Sequence, residues 1–375
     1  MDSRSRVREV DVLVVGAGPA GATAALNLAP TWRVALVDLR ARPRPRLGES
    51  LPPVARRLLN DMGLWDVFRD EGHSPCYGNR SVWGGPHPLE TDFLRDPDGH
   101  GWHIDRARFD LWLRGIAQHR GAGLLAPAQL ESIAWDGDCW RVRVVTAESA
   151  MDVTARVAID AGGRASPVGR ALGARRQVGD RLVCSWLCGT ARPIHQGAGF
   201  TYVEAVEDGW WYAAPMPSGR RVLAFHTDSD LPGARVMADP QKLFELAMAN
   251  RGLGAILSES GFSVEQSGFG AAHSALLQPA AGPAWFAVGD AACSFDPLSS
   301  QGLLNALYTG LAAAEAADRY LSGESDALTE YLLTLDRVYT AYQRHLTDWY
   351  AAETRWSNQP FWQRRQMALS AASAH

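Results

Sequence analysis

A chain of 375 residues, 46% hydrophobic and 21% charged, has the composition of a globular protein with room for more than one domain. Its formal net charge of −4 excludes the strongly basic surface that nucleic acid or anionic lipid would demand. Five cysteines without a CxxC pair or a Cys/His spacing exclude a zinc framework, and no apolar run approaches the ~20 residues of a membrane span. The expectation is a cytoplasmic protein with reduced thiols, no metal, no nucleic-acid partner and no membrane span.

The first informative stretch is Val10–Val15, a β-branched run of the kind found in a buried parallel strand. Gly16, Gly18 and Gly21 follow as G-x-G-x-x-G and open an alanine-rich helix over 20–28. Gly16 serves the tight strand-to-helix turn, Gly18 the close approach of a pyrophosphate, and Gly21 the packing of helix on strand. Pro19 and Ala20 then lie at the helix N-terminus, where free N–H groups and the dipole favour phosphate. A second strand, "RVALVD", ends in Asp38, 22 residues after Gly16, where an acid can accept from a ribose diol. "RARPRPR" (40–46) reads as an exposed loop. In "RLGESLPP" (46–53), Ser50 can cap a helix that carries Pro52 and Pro53 in its first turn.

Residues 182–192, 199–217 and 220–227 read as strands between turns, the pattern of an antiparallel sheet. Within it "GWWYAAPMP" sets Trp210 beside Trp211, so on a strand they point to opposite faces and one of them can meet a pocket. Trp285–Val288 reads as another strand, ended by Gly289-Asp290; a loop with Asp296 and Pro297 leads to Gly302 and Leu303 at the start of a long helix. Ser299, Ser300 and Gln301 offer capping groups there. Residues 325–375 read as helical and carry aromatics that suit packing on the remainder ahead of covering a pocket or binding a partner protein, with "FWQRR" also compatible with a membrane-surface contact. Among ten histidines, His73, His103, His226 and His273 merit weighing, and His226 and His273 carry the most weight because strands flanking the pocket supply them.

Together these stretches resemble the flavoprotein monooxygenase superfamily with the p-hydroxybenzoate hydroxylase-like fold, over nearly the whole chain. The resemblance implies FAD: the glycine motif holds ADP, Asp290 holds ribitol, and Pro297, Gly302 and Leu303 approach the flavin ring. "HIDRARFDLWL" (103–113) looks like the segment whose arginine, here Arg106, contacts FAD. "VAIDAGGRASPVGRALG" (157–173) resembles the third motif, with Gly163, Ser166 and Arg170 matching. Its usual Asp-Gly pair is Gly162-Gly163 here and the acid stands at Asp160, the form seen among flavin halogenases and their relatives. In that branch Glu49 and Ser50 lie beside the flavin, and Trp211 belongs to the W-x-W-x-I-P-like signature.

The implied fold is α/β: a Rossmann-like FAD-binding domain (1–75, 100–180 and 270–320), an inserted antiparallel-sheet substrate domain (76–99 and 181–269) and C-terminal helices (321–375). Halogenases of this branch relay hypohalous acid through a lysine, and residues 22–209 contain none; Lys242, the chain's only lysine, reads as a solvated helix residue. Arginine stays protonated and does not replace it. The motif combination most resembles flavin monooxygenases that hydroxylate peptide-bound tryptophan in quinone-cofactor maturation. It implies reduction of FAD by NAD(P)H or a partner flavin reductase, O₂ consumption through a C4a-hydroperoxide, and an indole or tryptophan-like substrate, small or within a peptide or protein. His226, His273 and Trp211 are the candidate catalytic side chains. A halogenase, a reductase or dehydrogenase of the geranylgeranyl-reductase type, and a non-catalytic flavin carrier are the rivals.

Overall fold

The computed structural model describes residues 8–44, 46–194 and 199–372, with side chains to 366. The Val10–Val15 run forms the strand Arg8–Val15, whose residues from Val12 to Val15 are at most 6% exposed. It pairs in parallel with Val34–Val37 on one side and Ala150–Asp160 on the other. Gly123–Leu125 and Trp285–Ala287 extend this sheet at its two flanks, again in parallel. β-Branched and aliphatic side chains on both faces are what a doubly covered parallel sheet requires. The covering helices are Pro19–Leu28, Arg106–His119 and Gly302–Leu321. A hairpin of Gln129–Trp135 and Trp140–Val145 continues the sheet in antiparallel fashion, two strands that the sequence reading does not anticipate.

The second sheet has seven strands in the order 263–271, 182–190, 220–228, 209–216, 200–206, 78–82 and 89–92. It is antiparallel except between Phe200–Val206 and Gly78–Val82. Alternation along the strands sends Leu187, Trp211, Leu223 and Phe225 to one face, where helices between 232 and 260 cover them with Met237, Leu243 and Leu253. The opposite face carries Cys184, Trp186, Trp210, Tyr212, Ala224 and His226 toward the C-terminal helices and the parallel sheet.

Ala327–Ala352 and Pro360–Ala372 close the fold, with Phe361 and Trp362 wholly buried against Trp83 and Tyr350. The arginines of "FWQRR" turn inward: Arg365 pairs with Asp228 at 2.9 Å and Arg364 reaches both Asp228 and Asp230. Asp228, at the end of the strand 220–228, and Asp230 just past it are therefore the anchor of the last helix. No described helix is long and apolar enough to cross a membrane, and no described cluster of His, Cys, Asp and Glu could hold a metal ion.

Candidate active site

The strand Arg8–Val15 ends in Gly16, whose φ of +107° suits glycine. A Cβ there would lie 2.2 Å from the Ala161 carbonyl oxygen, so the turn also needs glycine for space. Gly21 does not touch the cavity; its missing Cβ would sit 1.9 Å from the Gly16 carbonyl oxygen. Its part in the motif is to let the helix pack on the strand. The helix Pro19–Leu28 starts at the N-cap Gly18 with no side-chain cap, leaving its N-terminal N–H groups for an anion.

A cleft of ≈ 780 Å³ lies between the two sheets. Its wall takes Gly16, Gly18, Pro19, Ala20 and Asp38 from the first turn, then Glu49, Ser50 and Arg106. Asp290, Pro297, Gly302 and Leu303 line it from the late motif, with open space where a Gly302 side chain would stand. The second sheet contributes Cys184, Trp186, Tyr212, His226, Gly268 and Gly270. This combination fits a dinucleotide: a glycine cradle at a helix N-terminus, an acid at the strand end, and an open helix start farther along.

Buried charges hold the cradle. Arg114, with its side chain 4% exposed, donates to the Ala17 carbonyl at 2.6 Å and pairs with Asp38 at 3.1 Å. Asp38 also accepts the Ala17 N–H at 2.7 Å, so its carboxylate fixes the glycine loop as well as facing the cleft. Arg106, Asp110 and Arg114 recur every fourth residue on one helix; Arg106 donates to Asp110 and to the Leu47 and Gly48 carbonyls. Arg176 donates to the Asp290 carbonyl at 2.6 Å and to Ser166 Oγ at 2.8 Å, tying the late motif to the third one. Sequence reasoning missed Arg114 and Arg176, although the i, i+4, i+8 spacing of charges on an otherwise apolar helix face was a usable signal for the first.

Some sequence-predicted residues fall elsewhere. Ser50 caps nothing: it pairs with His103 in a two-residue strand, and the helix begins at Ala55 after a turn in which the Ala55 N–H donates to the Pro52 carbonyl at 3.0 Å. Trp211 is 2% exposed and packs on Phe225 beneath the covering helices, away from the cleft. The strand's parity gives the cavity wall to Tyr212 instead. The His273 ring does not line the cleft either; its carbonyl accepts from Arg164 at 2.6 Å, just after the strand Ser263–Ala271 ends. His226 does line it, stacked on Trp210 with ring centroids 3.6 Å apart. Burial pulls its pKa to about 3 against a weaker backbone contact with Trp210, so the imidazole is neutral.

Three carboxyl groups are withdrawn from water here. Burial raises Glu49, lifts Asp160 to about 6 and lifts Asp296 to about 7. Asp296 accepts from Tyr350 at 2.7 Å and from the Leu298 N–H at 2.9 Å, while its own N–H donates to the Tyr342 oxygen at 2.8 Å. A carboxyl whose folded pKa is raised stabilises the fold fully below its unfolded value of about 4 and loses that contribution as pH climbs through the folded value. Asp296→Asn is therefore expected to reduce the fall in Tm between pH 4 and 7, measured by calorimetry across that window. Asp160 keeps part of the slope in the variant, because its shift has the same sign.

Comparison with known proteins places these features in a family context. The FAD binding domain family matches residues 9–308. LodB of Marinomonas mediterranea, named as an FAD-dependent oxidoreductase, is 30% identical over 367 residues, covering 95% of this chain and 96% of LodB. Among solved structures, CmlS, a flavin-dependent halogenase, superposes with a TM-score of 0.85 at 25% identity over 98% of this chain and 70% of its own. The peptidyl tryptophan dihydroxylase QhpG, essential for tryptophylquinone cofactor biogenesis, gives 0.71 at 26% identity over 96% and 79%.

Proposed function

The chain belongs to the FAD binding domain family, as an FAD-dependent oxidoreductase of the flavoprotein monooxygenase superfamily, and on that premise we propose that it hydroxylates an electron-rich aromatic ring, the indole of tryptophan, free or within a peptide. One observation carries this reading. An aromatic sheet face bearing Trp186, Tyr212 and His226 closes on the dinucleotide cleft, and no lysine lines that cleft. The single lysine, Lys242, is 65% exposed on the helix Pro240–Ala249 and sits 3.9 Å from Asp239. That argues against relay of hypohalous acid through an amine, although halogenases share the fold.

The chemistry that FAD supplies when bound and reduced, by NAD(P)H or a partner flavin reductase, is activation of O₂ for transfer of one oxygen atom. The glycine cradle, Asp38, Arg106 and Asp290 would hold it. The chain's own work is to bind, orient and keep out water. Trp186 and Tyr212 offer aromatic surface to an indole. His226, neutral and fixed by its stack on Trp210, adds an uncharged ring to that wall. The C-terminal helices exclude water behind Asp296, through Tyr342 and Tyr350.

The test is to reduce the loaded protein without oxygen, then add O₂ with a tryptophan-containing peptide, N-acetyltryptophanamide or a simple indole, in the presence of bromide. The expected result is a product heavier by one oxygen atom, free of bromine, with O₂ consumed. A brominated product, or turnover of substrate without O₂, would overturn the proposal.

A further inference from the structure

Glu49 stands at a junction. It lines the main cleft and also a side pocket of ≈ 50 Å³ that shares Arg46, Leu47, Arg106 and Trp186 with it and ends at Arg220. The residue is 2% exposed, so its carboxyl exchanges with substrate space rather than with bulk water. Its partners arrive from segments far apart in the chain. The Gly48 N–H donates to Oε2 at 3.0 Å, and the Tyr212 hydroxyl is bonded both to the Glu49 carboxyl and to the Thr201 hydroxyl. Thr201, 1% exposed, lies 3.0 Å from Nε2 of the fully buried His103. Cys76 Sγ is 3.8 Å from the same threonine oxygen.

The direction of these bonds follows from the acidity of each member. Burial and Glu49 hold the Tyr212 hydroxyl well above its ordinary pKa, so it keeps its proton and donates to the carboxylate. Its lone pair then accepts from Thr201, whose own oxygen accepts from His103 Nε2–H. Burial lowers His103 to about 4, so the imidazole is neutral and supplies that one proton. The chain His103 → Thr201 → Tyr212 → Glu49 thus points every donor toward one carboxylate. Such chains polarise one another in a low dielectric.

Resting on the hydroxylase reading above, we propose that Glu49 is the base that takes the proton lost by the aromatic ring as it is oxygenated, and that Tyr212, Thr201 and His103 are positioning residues that hold its carboxylate ready. In that step the ring N–H bond breaks, its electron pair moves into the ring as the C–O bond forms, and an O–H bond forms on Glu49; the C–H proton of the oxygenated carbon then shifts to the nitrogen and restores the N–H. The proton leaves later through the open cleft. Other groups face Glu49 from each packed element: Arg46 and Arg106 on one side, Cys184, Cys188 and Tyr212 on the sheet, and Asp105 and Arg220 in the side pocket. Arg106, the Gly48 N–H and Tyr212 draw its pKa down, whereas burial raises it by more.

The experiment uses the FAD-loaded protein and two readouts. The first is an infrared titration of the Glu49 carboxyl in the resting state, assigned by its loss in Glu49→Gln. The second is the pH dependence of oxygenation. Tyr212→Phe and Thr201→Val are expected to move the infrared midpoint upward, Tyr212→Phe further, and to move the rising limb of the pH profile by the same amount. Glu49→Gln is expected to slow oxygenation about 10²–10⁴-fold. An unmoved midpoint in Thr201→Val overturns the chain whether or not the wild type turns over. A shifted midpoint with an unmoved pH profile overturns Glu49 as base and leaves the hydroxylase reading standing. No oxygenated product from the wild type sinks both together.

Discussion

Gly21→Val is expected to yield protein purified without FAD, and with a markedly lower Tm. The residue has no contact with the cleft, yet its Cβ position is 1.9 Å from the Gly16 carbonyl oxygen and 2.8 Å from Ala161 Cβ. Neither neighbour is a flexible side-chain tip. Gly16 has little room to retreat, because its backbone packs closely on the Ala161 carbonyl. A valine must therefore push the helix off the strand, which costs about 3 kcal/mol or more when a tight contact is overpacked. The same displacement carries the helix N-terminus away from the phosphates. The check is the flavin-to-protein absorbance ratio after purification, with calorimetry alongside. Stoichiometric FAD in this variant would refute the packing argument.

Asp228→Ala should strongly destabilise the protein although the residue lies outside the cleft. Its carboxylate is 2% exposed and meets Arg365, 9% exposed, at 2.9 Å. The Arg365 guanidinium lies 3.5 Å from the centroid of the Phe361 ring and 4.9 Å from that of Tyr350, surroundings that tolerate a cation only when it is paired. Removing the acid strands a buried charge, at about 3–5 kcal/mol. The helix Pro360–Ala372 should loosen, and with it Tyr350, the donor to Asp296 in the cavity wall. Thermal unfolding would show the loss, and limited proteolysis should cut earlier between 352 and 366. Asp228→Ala with Arg365→Met should recover part of the stability, since the unpaired charge is then gone too. A Tm equal to wild type in the single variant would remove the buried pair from the account.

The parts of this molecule that were legible in the sequence are those written in local spacing. The turn at Gly16, the acid at Asp38 and the Gly289-Asp290 strand end each occupy a few consecutive residues, so spacing alone locates them. Alternation along 209–216 was legible as well, but not its sense. Whether Trp211 or Tyr212 meets the cleft depends on which face Met237, Leu243 and Leu253 cover, a fact of tertiary packing. His273 was misplaced for a related reason: the strand stops at Ala271, and the chain turns before the ring can point inward. The chain of Glu49, Tyr212, Thr201 and His103 leaves no local signature at all. Its four members come from four strands or loops and meet only when two sheets close on one another.

Lys242 makes the protein a ready substrate for selective chemistry. Apart from the terminal amine, the chain presents one primary amine to acylating reagents, on an exposed helix that lies across the second sheet from the cleft. A dye, a crosslinker or a surface tether placed there would leave every residue of the cavity wall unmodified. Binding of the proposed substrate or loading of FAD can then be followed at a single known position, without engineering the protein first.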